Sequence, residues 1–352
     1  MPAQPARVAL FGFGLAGRVF HAPLIAAEPG LELAVVVTGD DERRAQVAAA
    51  YPGAEVVDGA DAVWERAGAL DLVVVATPNR AHVPLARAAL DAGLAVVVDK
   101  PLASDAAAAR MLVEYAEAVG GLLTVFQNRR WDGDFLTLRK VLDAGRLGAV
   151  LRFESRFDRW RPDGGGAWRE TEAPSDGGGL LLDLGSHLAD QAVQLFGPVA
   201  RVYAELDVRR AGNAAEDDVF VALEHASGVR SHLAMSALVA QIPPRMRVLG
   251  DAGAFVKDGL DVQEAQLDAG MRPGEAGWGE DPQTRWAMLG SDADAEPVPT
   301  LPGAYERFYA GVAAALRDGT APPVDPWDAV RVLEILDAAR RSSAQARVVE
   351  LG

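Results

Sequence analysis

Two successive units are predicted from this sequence: an α/β unit on a parallel sheet covered on both faces, then an α+β unit on a large, mainly antiparallel open sheet. Three observations predict them. Residues 7–11, 31–37, 71–78 and 94–101 are short runs apolar on both faces, separated by helix-like stretches, and strands of that kind belong to parallel sheets buried under helices. Beyond residue 124, strand-like runs crowd together at 150–158, 199–209, 217–225, 229–237, 244–249 and 253–257 between a few helices, the α+β pattern. The length, 352 residues with 50% hydrophobic and 24% charged, suits two globular units.

Chain order justifies each element. RVALF at 7–11 has strand length and runs directly into GFGLAG, which sets Gly12, Gly14 and Gly17 in a G-x-G-x-x-G frame. That frame is weak alone in a chain with 36 glycines. Here it follows a strand, opens the helix-like segment 16–27 and precedes the strand run LELAVVV at 31–37, the βαβ order of a dinucleotide-binding turn. In that role Gly12 permits the tight turn, Gly14 lets the backbone approach a pyrophosphate, and Gly17 allows close helix–strand packing. Phe13, Leu15 and Ala16 complete the turn at the helix N-terminus that faces the phosphates. Pro23 is expected to kink or end that helix. DLVVVATP and LAVVVDKP, helices at 82–92 and 104–119, and LLTVF at 122–126 continue the unit. An N-terminal Rossmann dinucleotide-binding domain is therefore expected over residues 1–124. Residues 125–352 remain as a C-terminal α/β domain.

The second strand ends VVVTGDDERR, placing Thr38 where an NAD site usually carries an acid for the ribose hydroxyls. A hydroxyl with Arg43 and Arg44 nearby accepts a 2′-phosphate, whereas Asp40, if turned inward, repels one. The balance favours NADP over NAD. The other reading of 40–44 is a solvated helix start whose arginines only pair with carboxylates.

Composition excludes several classes. A formal charge of −16 argues against a nucleic-acid partner, which needs a basic surface to displace counterions. The absence of cysteine removes disulfides, thiolate metal sites and cysteine nucleophiles. The five histidines show no H-E-x-x-H or related spacing, so no metal is expected. MPAQPARVALFG lacks the pattern of a secretory leader, and no uncharged apolar run reaches about eighteen residues. A cytoplasmic chain with no membrane partner is expected.

In the second unit, helices are expected at 132–144, 180–196, 304–317 and 326–343, and the Gly-, Pro- and acid-rich segments 162–179 and 268–303 read as loops placed as lids over a cleft. LRFESRFDRW at 151–160 alternates two faces. The one carrying Arg152, Glu154, Arg156, Asp158 and Trp160 is either an active-site wall or exposed.

Two constellations carry chemistry. DKP ends an apolar strand, the edge where open parallel sheets bind ligands. Lys100 there either reaches into the crevice to stabilise a developing oxyanion or is a surface lysine. Asp183 and His187 stand four residues apart on a predicted helix and so share a face. An imidazole suits proton transfer near neutrality; the alternative is a core histidine. The arginines of NRRWD at 128–132 either meet a polar ligand or form a solvated face.

GFGLAG, ATPNRAH (76–82), DKP (99–101), NRRWDGDFLTLRKV (128–141) and DLGSH (183–187), in that order, resemble the Gfo/Idh/MocA oxidoreductases. FHAPLI, FESRFDRWRP, DLGSHLADQAVQLFG and FVKDGLDVQEAQL resemble the scyllo-inositol dehydrogenase type within that group. The resemblance covers nearly the whole chain. It implies an NAD(P)-dependent enzyme moving a hydride between nicotinamide and a ring carbon of a cyclic polyol or sugar. Lys100, Asp183 and His187 are the catalytic residues it implies. Ala76, Thr77, Pro78, Asn79, His82, Asp99, Lys100 and Pro101 would join the glycine turn and Thr38 at the cofactor, and Asn128, Arg156 and Trp168 would meet the substrate. It also implies that residues 125–352 bind the substrate and carry oligomerisation, as a homodimer or homotetramer paired through open sheets. Two departures are Asp99-Lys100-Pro101, where Glu-Lys-Pro is usual, and the Thr38-Gly39 pair. Two other classes stay open: an NAD-dependent glycosidase of the same family, and a non-catalytic nucleotide-binding sensor, which predicts an eroded site.

Overall fold

The computed structural model describes residues 4–164, 168–174 and 177–352. Six strands, β1 (Ala6–Phe11), β2 (Leu31–Val37), β3 (Glu55–Val57), β4 (Leu72–Val75), β5 (Ala95–Asp99) and β6 (Leu123–Phe126), form one sheet in the order β3-β2-β1-β4-β5-β6. Every pairing in it is parallel, the Rossmann arrangement with its switch point beside β1. The central strand β4 carries only aliphatic side chains, and Leu72, Val73, Val74 and Val75 are all fully buried, because helices cover both faces. The sixth strand straddles residue 124, the expected end of the first domain.

The helix after the glycine turn does not stop at Pro23. A π-helical turn, Ala16–His21, runs into the α-helix Ala22–Ala27, and Pro23 occupies its first turn, where a missing N–H costs little. Asp40 caps the helix Asp41–Ala50, its carboxylate accepting from the Arg43 backbone N–H at 2.9 Å.

Nine further strands form the second sheet: β7 (Val150–Asp158), β8 (Val199–Asp207), β9 (Asp218–His225), β10 (Arg230–Ser236), β11 (Met246–Gly250), β12 (Gly253–Lys257), β13 (Ala287–Gly290), β14 (Glu296–Val298) and β15 (Val349–Glu350). Their order is β14-β13-β12-β11-β7-β10-β9-β8-β15. Among these strands only β7 and β10 pair in parallel, so the mainly antiparallel sheet is as expected. The reading of 268–303 as loop is corrected, since β13 and β14 within it extend the sheet edge. The helices Ser186–Phe196 and Pro326–Gln345 pack against one face, meeting β7, β8 and β10. Phe153 and Phe157 of β7 are buried beneath them, while Arg152, Glu154 and Arg156 alternate onto the opposite face. The long helix Pro326–Gln345 also packs on Ala106–Ala118 of the first unit, and Thr124 of β6 donates to the Val324 carbonyl at 2.7 Å. The two sheets thus share one hydrophobic core.

Candidate active site

The carboxyl ends of β1, β4, β5 and β6 assemble the site. Gly12 has φ +93°, and a Cβ there would fall 2.5 Å from the Ala76 carbonyl oxygen; one on Gly17 would fall 2.0 Å from the Gly12 oxygen. Both positions therefore need glycine. Around Gly14 no atom beyond its own chain neighbours lies within 4 Å of the place a Cβ would take, which leaves the backbone open to a pyrophosphate and fits a dinucleotide there. Beside it a cavity of about 260 Å³ is lined by Phe13, Gly14, Leu15, Asp40 and Arg43. Buried Thr38 closes β2, its hydroxyl accepting from the Asp40 N–H at 3.4 Å. Arg44 is drawn away to Asp58. A larger cavity, about 850 Å³, lies at the opposite, amino-terminal edge of this sheet, lined by Ala6, Leu70, Ala95 and Leu122; it is remote from these groups.

The next turns are tied together from beneath. Asn79 donates to the Gly177 carbonyl at 3.2 Å, joining the turn Ala76–Thr77–Pro78–Asn79 to the second unit. His82 has no exposed surface, and its ring nitrogens lie 2.8 Å from the Pro101 carbonyl and 2.9 Å from the Thr77 carbonyl. It holds the ATPN and DKP turns in place, with both ring nitrogens turned to backbone carbonyls. Asp99 is buried, with His21 Nε2 3.6 Å away. Burial pushes its carboxyl up, but His21, Lys100 and His82 together outweigh that and hold it below its ordinary value.

Lys100 leaves β5 toward the second unit. Its Nζ donates to the Asp183 carbonyl at 2.7 Å and to Asp183 Oδ1 at 2.9 Å. Asp183 lies in the π-helical turn Leu181–Gly185, which runs into the helix Ser186–Phe196 carrying His187. The expected single α-helical run is thus widened at Asp183. His187 is buried, 4% exposed, and its Nδ1 has no hydrogen-bond partner among the described residues. Burial first, then the charges of Lys100, Arg129 and Arg245, pushes the imidazole well below its ordinary range, so it stands neutral as a proton acceptor.

Asn128 follows β6 at the same edge and is buried. Arg156 is not with these groups. It points to the face of β7 opposite Phe157 and the His187 helix, 3.7 Å from Asp158, because alternation along a strand sends neighbours to opposite faces. Trp168 opens the short helix Trp168–Thr171, and its side chain lies outside the described residues. Sequence reasoning missed Arg159, which acts electrostatically on Asp183, and Arg245, which acts on His187. The one signal for Arg159 was its place in FESRFDRWRP; Arg245 carried none. No group of three or more potential metal ligands occurs among the described residues. Among them, too, no helix is long and apolar enough to cross a membrane.

The chain is similar to known proteins in sequence and fold. Residues 6–127 match the model of the oxidoreductase family NAD-binding Rossmann fold, and residues 139–351 match that of the oxidoreductase family C-terminal alpha/beta domain. The oxidoreductase YdgJ of Escherichia coli, itself uncharacterized, is 41% identical over 96% of this chain and 96% of its own length. The scyllo-inositol 2-dehydrogenase (NADP(+)) IolW of Bacillus subtilis is 33% identical over 98% of this chain and 96% of its own. The solved structure of the yvaA protein from Bacillus subtilis superposes with a TM-score of 0.92 at 32% identity, covering 99% of both chains. The chain belongs to the Gfo/Idh/MocA family and is an NAD(P)-dependent oxidoreductase.

Proposed function

We propose that this enzyme oxidises a ring CH–OH group of a cyclic polyol or sugar, in the manner of an inositol dehydrogenase. One observation carries the reading: Lys100 from the cofactor sheet and Asp183 from the second unit meet at 2.9 Å near the buried His187, whose imidazole burial and neighbouring cations push below its ordinary range. When bound, the nicotinamide supplies the hydride acceptor. His187 takes the hydroxyl proton, for which an uncharged imidazole is required. Lys100 stabilises the oxyanion that develops as the proton leaves, and Asp183 accepts a substrate hydroxyl and fixes the ammonium. Ala76, Thr77, Pro78, Asn79, Asp99 and Pro101 shape the wall beside the nicotinamide, with Asn128 at its substrate side.

The same reading favours NADP. Asp40 caps its helix through the Arg43 N–H and also lies 4.0 Å from the half-exposed Arg43 guanidinium; on this reading that guanidinium turns from Asp40 and joins the Thr38 hydroxyl in receiving a 2′-phosphate. The relative named an NADP(+) enzyme supports this choice. A homodimer or homotetramer pairs through the sheet face that no helix among the described residues covers, where Phe220 and His232 stack edgewise at 5.7 Å. The test is a panel of inositols and aldoses offered with NAD and with NADP, followed by absorbance of the reduced nicotinamide. Net reduction with at least one cyclic polyol or sugar is expected, faster with NADP. No net reduction with any of them rejects the dehydrogenase reading in favour of a cofactor-recycling glycosidase or a sensor.

A further inference from the structure

Behind His187 the fold buries two arginines that the proposed reaction does not use. Arg129 and Arg245 are 7% and 3% exposed, and their guanidinium carbons lie over the ring of Phe157, 4.7 and 4.3 Å from its centroid. The same ring meets the His187 imidazole at 6.4 Å between centroids. Each guanidinium is held by acceptors of its own. Arg129 bonds Glu264 at 2.9 Å and Asp132 at 3.4 Å. Arg245 bonds Ser155 and, at 3.1 Å, Gln191, with Asp134 3.9 Å away. Burying guanidinium groups is costly even when they are paired, and stability alone is a weak reason to keep them.

We propose that Arg245 and Arg129 are positioning residues for His187: fixed against Phe157, they hold standing positive charge beside the imidazole and keep it an uncharged proton acceptor. The inference rests on His187 being the base. The charges that act on the imidazole are Lys100 from the end of β5, Arg129 from the turn Asn128–Trp131 and Arg245 ahead of β11, all positive. Among the described residues, the other elements packed on the His187 helix add no free opposing charge. Asp183, one turn upstream, is bonded to Lys100, and Asp190 on the helix itself is bonded to Arg130. Asp328 of the helix Pro326–Gln345 is bonded to Arg130 as well. The charged residues of β7, Arg152, Glu154, Arg156 and Asp158, lie on its other face, and from β10 the nearby side chain is that of Met235. Lys100 must move its interaction onto the substrate during turnover, whereas the two arginines stay bonded to protein groups throughout. They are the constant part of the field.

The test follows the ring signals of the five histidines by nuclear magnetic resonance in the full chain, with His187 identified by the signal lost in His187→Gln. In the wild type, His187 is expected to stay neutral well below about pH 6.5, the ordinary imidazole value. In Arg245→Gln its titration rises by about one pH unit, tenfold in proton affinity, and Arg245→Lys retains the low value. The acidic limb of kcat for oxidation moves with the signal. Arg129→Gln is read in the same way and serves if Arg245→Gln fails to fold. A wild-type His187 that protonates near pH 6.5 overturns the proposal without any variant. So does a variant that loses kcat evenly at every pH with the His187 titration unmoved, as a purely structural arginine would. If the ring titration shifts and the kcat limb does not, the electrostatic inference stands and the assignment of His187 as base falls.

Discussion

Lys100 Nζ donates at once to the backbone carbonyl of Asp183, at 2.7 Å, and to its carboxylate, at 2.9 Å. One lysine therefore ties the carboxyl end of a Rossmann strand to the first turn of a helix in the second unit, 83 residues later. Both side chains keep some exposure, 12% and 19%, so the pair faces the cleft and can be opened by a substrate hydroxyl.

Replacement of that ammonium tests its role. Lys100→Met removes the charge with little change of shape, so kcat should fall steeply while cofactor affinity, read by fluorescence titration, stays near that of the wild type. An interaction that strengthens mainly in the transition state is lost in kcat and in kcat/KM together. A variant that instead raises KM alone would make Lys100 a binding residue.

Cofactor choice turns on the end of β2. Thr38→Asp should shift preference toward NAD, because a carboxylate there bonds the ribose diol and repels a 2′-phosphate. The measurement is the ratio of kcat/KM for the two cofactors before and after substitution. A wild type that already prefers NAD by about tenfold, roughly 1.4 kcal/mol, sinks the assignment of NADP.

Much of this was legible in the sequence, for local reasons. β2 and β7 fall where the apolar runs place them, since strands buried on both faces or strictly alternating carry their own signal. β3, β13 and β14 were not legible, being three or four residues long and dependent on an edge to pair with. Alternation along 151–160 separated two faces correctly but could not say which one meets His187, and Arg156 was assigned to the wrong side. Lys100, Asp183 and His187 were readable because each lies in a short motif. Arg245 was not, because it reaches Gln191 and Ser155 across 54 and 90 residues, a juxtaposition that only the folded sheet creates.

Assembly is tested by mass. The face of the nine-stranded sheet that no helix among the described residues covers presents Tyr203, Phe220 and His232 half-buried among charged neighbours, an arrangement suited to an isologous contact between two copies. Light scattering at micromolar concentration should return a dimer or tetramer, and a monomer mass would remove the proposal.

His187 separates a catalytic histidine from a core one. In the catalytic reading, His187→Ala lowers kcat by about 10²–10⁴-fold, the range of general acid–base catalysis, and flattens the acidic limb of the oxidation profile. A core histidine forecasts the reverse, with lower stability but near-normal turnover in the molecules that stay folded. Stability carries its own pH signature. The folded imidazole is pushed below its ordinary value by burial and by Lys100, Arg129 and Arg245, so between the folded and unfolded values the unfolded chain holds the extra proton. The contribution of neutral His187 is therefore fully present above about pH 6.5 and is lost as pH falls toward the folded value. Thermal midpoints of wild type and His187→Gln should converge as pH is lowered from 7 to 5. A constant gap would mean that His187 titrates alike in both states, and turnover of folded His187→Ala within about threefold of wild type, ~0.6 kcal/mol, would return the residue to the core.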